Sequence, residues 1–203
     1  MEAALSIFEN FGRDALTFNR LGAELGASST AVYRHFQGRD EILEAVAEEL
    51  NLISLRGYEA SARWQDSLMD LAMRAWDTAE KYPAAAANSF FIATGGENEL
   101  RSVDAILQAL HEAGYRGSEA VVNYQVFSNM VLGSGIALAS DLLLEAESGN
   151  TIANIQEYSP PRPELFPYAE AVKHELSNFN RRNVYTQHVS MLISSFEQNA
   201  PRR

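Results

Sequence analysis

The chain has 203 residues, 46% of them hydrophobic and 21% charged, and a formal net charge of −11, which suits one or two ordinary globular domains with a real core. It contains no cysteine, which excludes disulfides, zinc-thiolate sites and cysteine nucleophiles and fits a reducing cytoplasm. The opening MEAALSIFENFG lacks a basic n-region, and the most apolar later run, Met130 to Ala139, is too short to span a bilayer and contains Ser134. No export or membrane anchoring is implied, so a cytoplasmic location is expected.

In chain order, the first informative stretch is Thr17 to Leu43, TFNRLGAELGASSTAVYRHFQGRDEIL, which reads as two short helices joined by a tight turn, then a third helix. Thr17 can accept the backbone amides that open a first helix, with Leu21 and Leu25 on one face. Gly26 supplies the turn, and Ser28 or Ser29 caps the next helix. Val32 and Phe36 point inward at a four-residue spacing, while Ser29, Thr30, Tyr33 and Arg34 point elsewhere. A helix of little more than two turns buries little. Its exposed set of hydroxyls, one phenol and one guanidinium suits base edges and phosphates; for Tyr33 the alternative is a partly buried aromatic.

These residues resemble the DNA-binding domain of the tetracycline-repressor (TetR) family of bacterial transcription regulators. The likeness rests on the threonine-capped helix, Leu25-Gly26-Ala27-Ser28, Val32-Tyr33-Arg34-His35-Phe36 and Arg39-Asp40-Glu41-Ile42-Leu43. Upstream, Ala3, Ala4, Leu5, Phe8 and Gly12 are similar to the family's first helix and the glycine that ends it. The resemblance implies that Ser29, Thr30, Tyr33 and Arg34 face the major groove of operator DNA. Thr17, Asn19, His35 and Arg39 would touch phosphates and set register. Arg34 is the candidate base reader, because a guanidinium can pair with both guanine acceptors.

Charge stands against this reading. Residues 1 to 50 hold four arginines (Arg13, Arg20, Arg34, Arg39) and nine carboxylates, a net −5, which is poor for a general phosphate binder. Arg20, Arg34 and Arg39 nevertheless lie in or beside the motif, and weak nonspecific binding with a modest salt slope is expected. Relatives usually carry a basic arm before the first helix. Here the chain starts almost inside that helix, which leaves a truncated start or reduced DNA affinity as the alternatives.

The remainder reads as nearly all helix, with no β-alternation longer than a few residues and no tandem repeat. From Arg39 to about Gly57, Ile42, Leu43, Val46, Ala47, Leu50 and Ile53 keep helical spacing, so this helix should leave the DNA-binding unit and enter a second domain. Trp64 to Tyr82 is amphipathic through Leu68, Leu71, Ala72, Ala75 and Trp76, and Pro83 stops or redirects it. A short apolar segment, 84 to 93, breaks at Gly95-Gly96. Glu99 to Ala113 follows through Val103, Ile106, Leu107 and Leu110, ending at Gly114, and Ser118 caps a long helix to about Glu147. Ser148 to Pro163 reads as an irregular or mobile connection. Helix resumes from about Glu164 to Phe179 and from Arg181 to Gln198. The fold expected is all-α: a three-helix helix-turn-helix domain over 1–45 and a larger helical ligand-binding and dimerisation domain over 46–203.

Leu110-His111-Glu112-Ala113-Gly114-Tyr115, Ser118-Glu119-Ala120, Gly133 and Pro163-Glu164-Leu165 are similar, more diffusely, to the tetracycline-repressor-type ligand-binding domain. That resemblance implies a homodimer built on the long helix and the terminal helix, and a pocket for a small inducer. The stripe Val184, Tyr185, His188, Met191, Leu192 and Ser195 is too apolar for a solvated terminal helix. Val184, His188, Met191, Leu192 and Ser195, with Val131, Leu138 and Leu142 of the long helix, are assigned to the two-fold interface. The central helices are rich in large aromatics: Trp76, Phe90, Phe91, Tyr124 and Phe127, with Met73 and Met130 interleaved and Asn123 nearby. Core packing accounts for each singly. Together, and with the resemblance, they suggest a mainly apolar pocket with few polar anchors for a hydrophobic or aromatic effector, since a highly charged one would find few cations there beyond Arg74 and Arg101.

Other chemistries find little footing. His35, His111, His174 and His188 show no metal-ligand spacing, and no hydroxyl, base and acid form a triad, so neither a metal nor a cofactor is expected. Gly133-Ser134-Gly135 follows helix, not strand, which favours close helix packing over a dinucleotide loop. The alternatives to a regulator are a helical dimeric binding or scaffold protein that ignores DNA and, more distantly, an enzyme.

Overall fold

The computed structural model describes residues 1–148 and 160–201, and the described residues are helical without any strand. The elements are α1 (Glu2–Phe11), α2 (Phe18–Glu24), α3 (Ser29–Tyr33), α4 (Arg39–Leu55), α5 (Trp64–Lys81), α6 (Pro83–Ser89), α7 (Glu97–Ala113), α8 (Gly117–Ser148), α9 (Pro167–Ala171), α10 (Lys173–Ser177) and α11 (Arg181–Asn199). Most of the connection expected between Ser148 and Pro163 lies outside the described residues.

Local chemistry explains the N-terminal unit. The Thr17 hydroxyl accepts the Arg20 amide at 3.2 Å to open α2, and the Ser28 hydroxyl accepts the Ala31 amide at 3.2 Å to open α3, which settles the choice between Ser28 and Ser29. Each such cap contributes about 1 kcal/mol. Gly26 makes the turn between them at φ +62°, a left-handed conformation that a side chain would strain. Ile7, Phe8, Leu16, Leu21, Val32, Ile42, Leu43, Val46 and Leu50 close over one core, with Phe36 packed at its edge. Leu21 is buried, whereas Leu25, which caps α2 with its amide on the Leu21 carbonyl at 3.1 Å, is 58% exposed.

This first core does not end at residue 45, the boundary drawn on the sequence. It takes in Val46 and Leu50 of α4 and Ala84 and Ala85 of α6. A second core joins α5, α7, α8 and α11 through Leu68, Ala72, Trp76, Leu110, Phe127, Val131, Leu138, Val189, Ile193 and Phe196. Two phenols pin α11 to this core. Tyr185 stacks on Trp76 with centroids 4.5 Å apart and donates its hydroxyl to the Ala72 carbonyl at 2.8 Å, while Tyr115 donates to the Phe196 carbonyl at 2.8 Å. Burial pushes the Tyr185 hydroxyl far above the usual phenol range, so it stays a donor at any working pH.

The penultimate helix expected over 164–179 is not continuous. A 3-10 turn (Pro163–Leu165), α9 and α10 replace it, broken at Phe166–Pro167, where the proline cannot donate, and again at Val172. The long helix differs too. The apolar run of α8 is longer than the sequence reading allowed: an 18-residue stretch within Gly117–Glu147 has a mean hydropathy of 1.5, long and apolar enough to cross a membrane by length and composition alone. Its inward residues Phe127, Val131, Leu138 and Ala139 fill the second core, and Val122, Val126, Gly133, Ala137 and Leu144 lie exposed. A helix apolar on two sides and built into a helical core matches a subunit interface as well as it matches a lipid face.

The junction of α4 with α7 is electrostatic. Glu48 of α4 accepts the Asn98 and Glu99 amides at 2.9 and 3.0 Å and the Thr94 hydroxyl at 2.7 Å, satisfying amides that the first turn of α7 leaves free. Burial opposes ionisation of Glu48, but these hydrogen bonds prevail and its pKa falls below 4.5. A side chain at Gly96 would fall on the Glu48 carboxylate, so this glycine is there for close approach. Glu48→Gln and Gly96→Ala should therefore each cost about 1–2 kcal/mol, and the double variant little more than either, read by urea unfolding. Because the folded pKa of Glu48 is depressed, its stabilisation is present above pH 4.5 and lost as pH falls through the folded value. The stability gap between the native chain and Glu48→Gln should close there; a gap independent of pH would contradict the assignment.

Candidate DNA-contacting face and interior cavity

Most of the residues singled out around the turn are exposed. Thr17, Asn19, Thr30, Tyr33, Arg34, His35 and Arg39 are all exposed, and the Ser29 backbone opens α3, its side chain lying outside the described positions. Tyr33 is 57% exposed, yet one face of its ring lies flat on Phe18, centroids 4.0 Å apart and planes 9° apart. The stack ties α3 to α2 and fixes the phenol before any partner arrives. Arg39 meets Asp14 at 3.1 Å, bridging the first turn of α4 to the segment between α1 and α2. Arg20, given no role by the sequence reading, lies 3.4 Å above the Phe11 ring.

The surplus of carboxylates is partly diverted from this face. Glu9 accepts the amides of Ala84 and Ala85 at 3.2 and 2.9 Å, Glu41 accepts the Gln37 amide at 2.7 Å, and Glu48 holds the start of α7. Three of the nine acidic groups in residues 1 to 50 thus serve helix starts rather than the surface around Arg34.

Between the two cores lies a cavity of about 530 Å³, walled by α4, α5, α7, α8 and the segment from Ser89 to Ala93. Four of the proposed ligand residues line it: Phe90, Phe91, Tyr124 and Phe127. Trp76, Met73, Asn123 and Met130 do not. Trp76 is spent on Tyr185, Met73 lies against the Thr186 hydroxyl of α11, Asn123 donates to the Glu119 carbonyl, and Met130 packs against the second core. The sequence reading missed Leu50, Asn51 and Ser54 of α4, Ser102, Val103 and Ile106 of α7, and Ser128, Asn129 and Leu132 of α8. Small polar side chains on an inward face carry no signal in helical periodicity. Gly135 of α8 lets the Phe90 ring approach, since a Cβ there would lie 2.8 Å from Phe90 Cε2, so Gly135 serves helix packing, while a Cβ at the exposed Gly133 would meet nothing within 4 Å. The cations named for this region are engaged outside the cavity, Arg74 with Asp70 and Arg101 with Glu97.

Two connections join cavity to face. Ala47, Leu50, Asn51, Ser54 and Leu55 of the cavity wall belong to α4, the helix that Arg39 ties to Asp14 in the segment between α1 and α2. The second runs through α6, which starts on the Glu9 carboxylate of α1 and ends at Ser89 on the cavity. Burial raises the Glu9 pKa above 4.5 in spite of the Ala85 and Ala84 amides.

On the opposite flank, Val184, His188, Met191 and Ser195 of α11 are exposed, as assigned, and Leu192 and Leu142 are half-buried. Val131 and Leu138 need correcting. Both are buried in the subunit's own second core, at 6% and 5% exposure, and Val131 also lines the cavity. The exposed face of α8 is instead Val122, Val126, Gly133, Ala137 and Leu144. Among the described residues no group of three or more His, Cys, Asp or Glu is placed to hold a metal ion.

Comparison with known proteins follows the same division. Residues 1–46 match the family described as bacterial regulatory proteins, tetR family. The class A tetracycline repressor protein from transposon 1721 of Escherichia coli is 26% identical over 174 residues, spanning 84% of this chain and 76% of that protein. Among solved structures, a TetR of Streptomyces coelicolor superposes with a TM-score of 0.80 at 19% identity, covering 98% of this chain and 96% of that one. ActR of the same organism, in complex with actinorhodin, superposes with a TM-score of 0.81 at 17% identity over 98% and 95% of the two chains.

The Glu9 contact is open to direct test. Glu9→Ala leaves the first amides of α6 without their acceptor and should cost about 1–3 kcal/mol of unfolding free energy, while far-UV circular dichroism stays helical. An unchanged stability would show that α6 does not depend on α1.

Proposed function

We propose a mechanism for a chain that belongs to the TetR family of bacterial transcription regulators: a homodimeric repressor that reads a palindromic operator with α3 and leaves it when a small apolar effector fills the cavity. The observation that carries this reading is that α4 belongs to both places, joined to the recognition unit by its Arg39 end and walling the cavity by its other half. An effector that favours one position of α4 changes the placement of α3. It shifts the equilibrium only by its differential affinity for the two positions, and about 1–3 kcal/mol of coupling gives a 5- to 150-fold change in operator binding.

Arg34 and Tyr33 read base edges in this account, Thr30 assists, and Thr17, Asn19, His35 and Arg39 set register on phosphates. Two half-sites one turn apart require recognition helices held about 34–36 Å apart by a dimer. The exposed faces of α8 and α11 suit that dimer, with Met191 at 63% exposure near the centre of the α11 face. Actinorhodin in ActR supports a small-molecule occupant by analogy of fold, not by identity of residues.

Gel shift on the promoter region of the chain's own gene tests recognition. Arg34→Ala should lose about 1–3 kcal/mol and relax base preference at one position per half-site, whereas Arg39→Ala should weaken binding to all sequences alike. If both variants bind as the native chain does, α3 is not the reader. Met191→Arg leaves the subunit's core untouched and should yield folded monomers in sedimentation, with greatly weakened operator binding. An unaltered dimer would move the interface elsewhere.

A further inference from the structure

The cavity contains one fully buried group with nothing to bond. Ser89, the last residue of α6, is 1% exposed and lines the cavity, and its Oγ has no hydrogen-bond partner in the protein. A serine in a helix can return its hydroxyl to the carbonyl four residues back, and its neighbour Asn88 does so, donating to the Ala84 carbonyl at 2.8 Å. On α4 and α7 the polar groups of the wall are engaged, whereas the Tyr124 and Ser128 hydroxyls of α8 also lack a partner among the described residues but are less completely buried than Ser89 Oγ. Ser102 donates to Asn51 Oδ1 at 3.0 Å, and the Asn51 amide donates to the Ala47 carbonyl at 3.1 Å. A buried hydroxyl left unpaired is costly, which makes Ser89 a donor waiting for an acceptor.

Charge narrows what can supply that acceptor. The lining residues include no Lys, Arg or His. Their one carboxylate, Glu99, turns Oε2 to the Thr94 and Gly95 amides, both at 2.6 Å. An anion placed here would be desolvated without a counter-charge. Phe90, Phe91, Tyr124 and Phe127 present ring surface, and about 530 Å³ suits a drug-sized occupant.

We propose that the effector is an uncharged aromatic molecule bearing a carbonyl oxygen, and that the Ser89 hydroxyl donates to that oxygen and determines specificity for it. This rests on the cavity being the effector site. The position of Ser89 adds a consequence: a ligand bonded there takes hold of α6, whose other end sits on Glu9 of α1.

The test uses three matched tricyclic probes on the full chain, followed by calorimetry: xanthone, xanthene, which lacks the carbonyl, and xanthene-9-carboxylate. The native protein should bind xanthone about tenfold more tightly than xanthene, the yield of one hydrogen bond, and the carboxylate most weakly. In Ser89→Ala the preference for xanthone over xanthene should vanish through loss of xanthone affinity. Folding is not at stake in that variant, since it deletes an unpaired hydroxyl and its melting temperature should hold or rise. Equal binding of xanthone and xanthene, an unchanged ratio in Ser89→Ala, strongest binding by the carboxylate, or no binding of xanthone would each overturn the proposal. Operator release is measured separately. Ser89-dependent xanthone binding without release would leave this specificity standing and remove the effector reading instead.

Discussion

A single helix serves two cores, and the rest of the molecule is arranged around that constraint. α4 sends Ile42, Leu43, Val46 and Leu50 into the N-terminal core and lends Ala47, Leu50, Asn51, Ser54 and Leu55 to the cavity wall. Leu50 belongs to both. Seventeen residues of α-helix run about 25 Å with little internal give, so displacement at one end must be taken up at the other or at the contacts that hold it. Apolar packing of Ile42, Leu43, Val46 and Leu50 holds the helix, and polar contacts fix its direction: Arg39 on Asp14 at the start, Glu48 on the first turn of α7 in the middle. Packed cores and hydrogen-bonded junctions both favour discrete arrangements over continuous deformation, which is what a switch requires.

The same economy explains how an acidic chain can meet DNA. Carboxylates on helix starts are neutralised in effect by the amides they accept, and Glu9, Glu41 and Glu48 are all used so. The exposed residues around α3 include hydroxyls, the Tyr33 phenol and the cations of Arg34 and Arg39, the last of them paired with Asp14. Positioned contacts rather than bulk charge then carry affinity, and the salt slope should be correspondingly shallow.

The sequence disclosed most where the chemistry is local. Thr17, Gly26 and Ser28 punctuate the recognition unit through contacts within a few residues, and the periodicity of α4, α5 and α7 placed those helices within two residues of their ends. It disclosed least where a helix has two occupied sides. α8 is apolar nearly all round, so nothing in its spacing told Val131 and Leu138, which face inward, from Val126 and Ala137, which do not. Trp76 has the composition of a ligand-binding residue, but its stacking partner Tyr185 comes from α11, far along the chain. Ser89, Asn51 and Ser102 were invisible for the opposite reason, since small polar residues on a helix look solvated until the fold closes over them. The break of the penultimate helix at Pro167 was legible in principle; the second break at Val172 has no signature in the residues themselves.

The chain's lack of cysteine makes the central claim measurable without background labelling. In the proposed dimer Glu24→Cys, exposed at the end of α2, carries a spin label on each subunit, and pulsed electron resonance reads the separation of the two recognition units. Ile106→Trp, placed on the cavity wall, stands in for a bound effector. If α4 transmits occupancy, the labelled dimer carrying Ile106→Trp should show an intersubunit distance displaced from that of the labelled dimer without it, and a weakened hold on the operator. An operator affinity that falls while the distance distribution stays unchanged would contradict it.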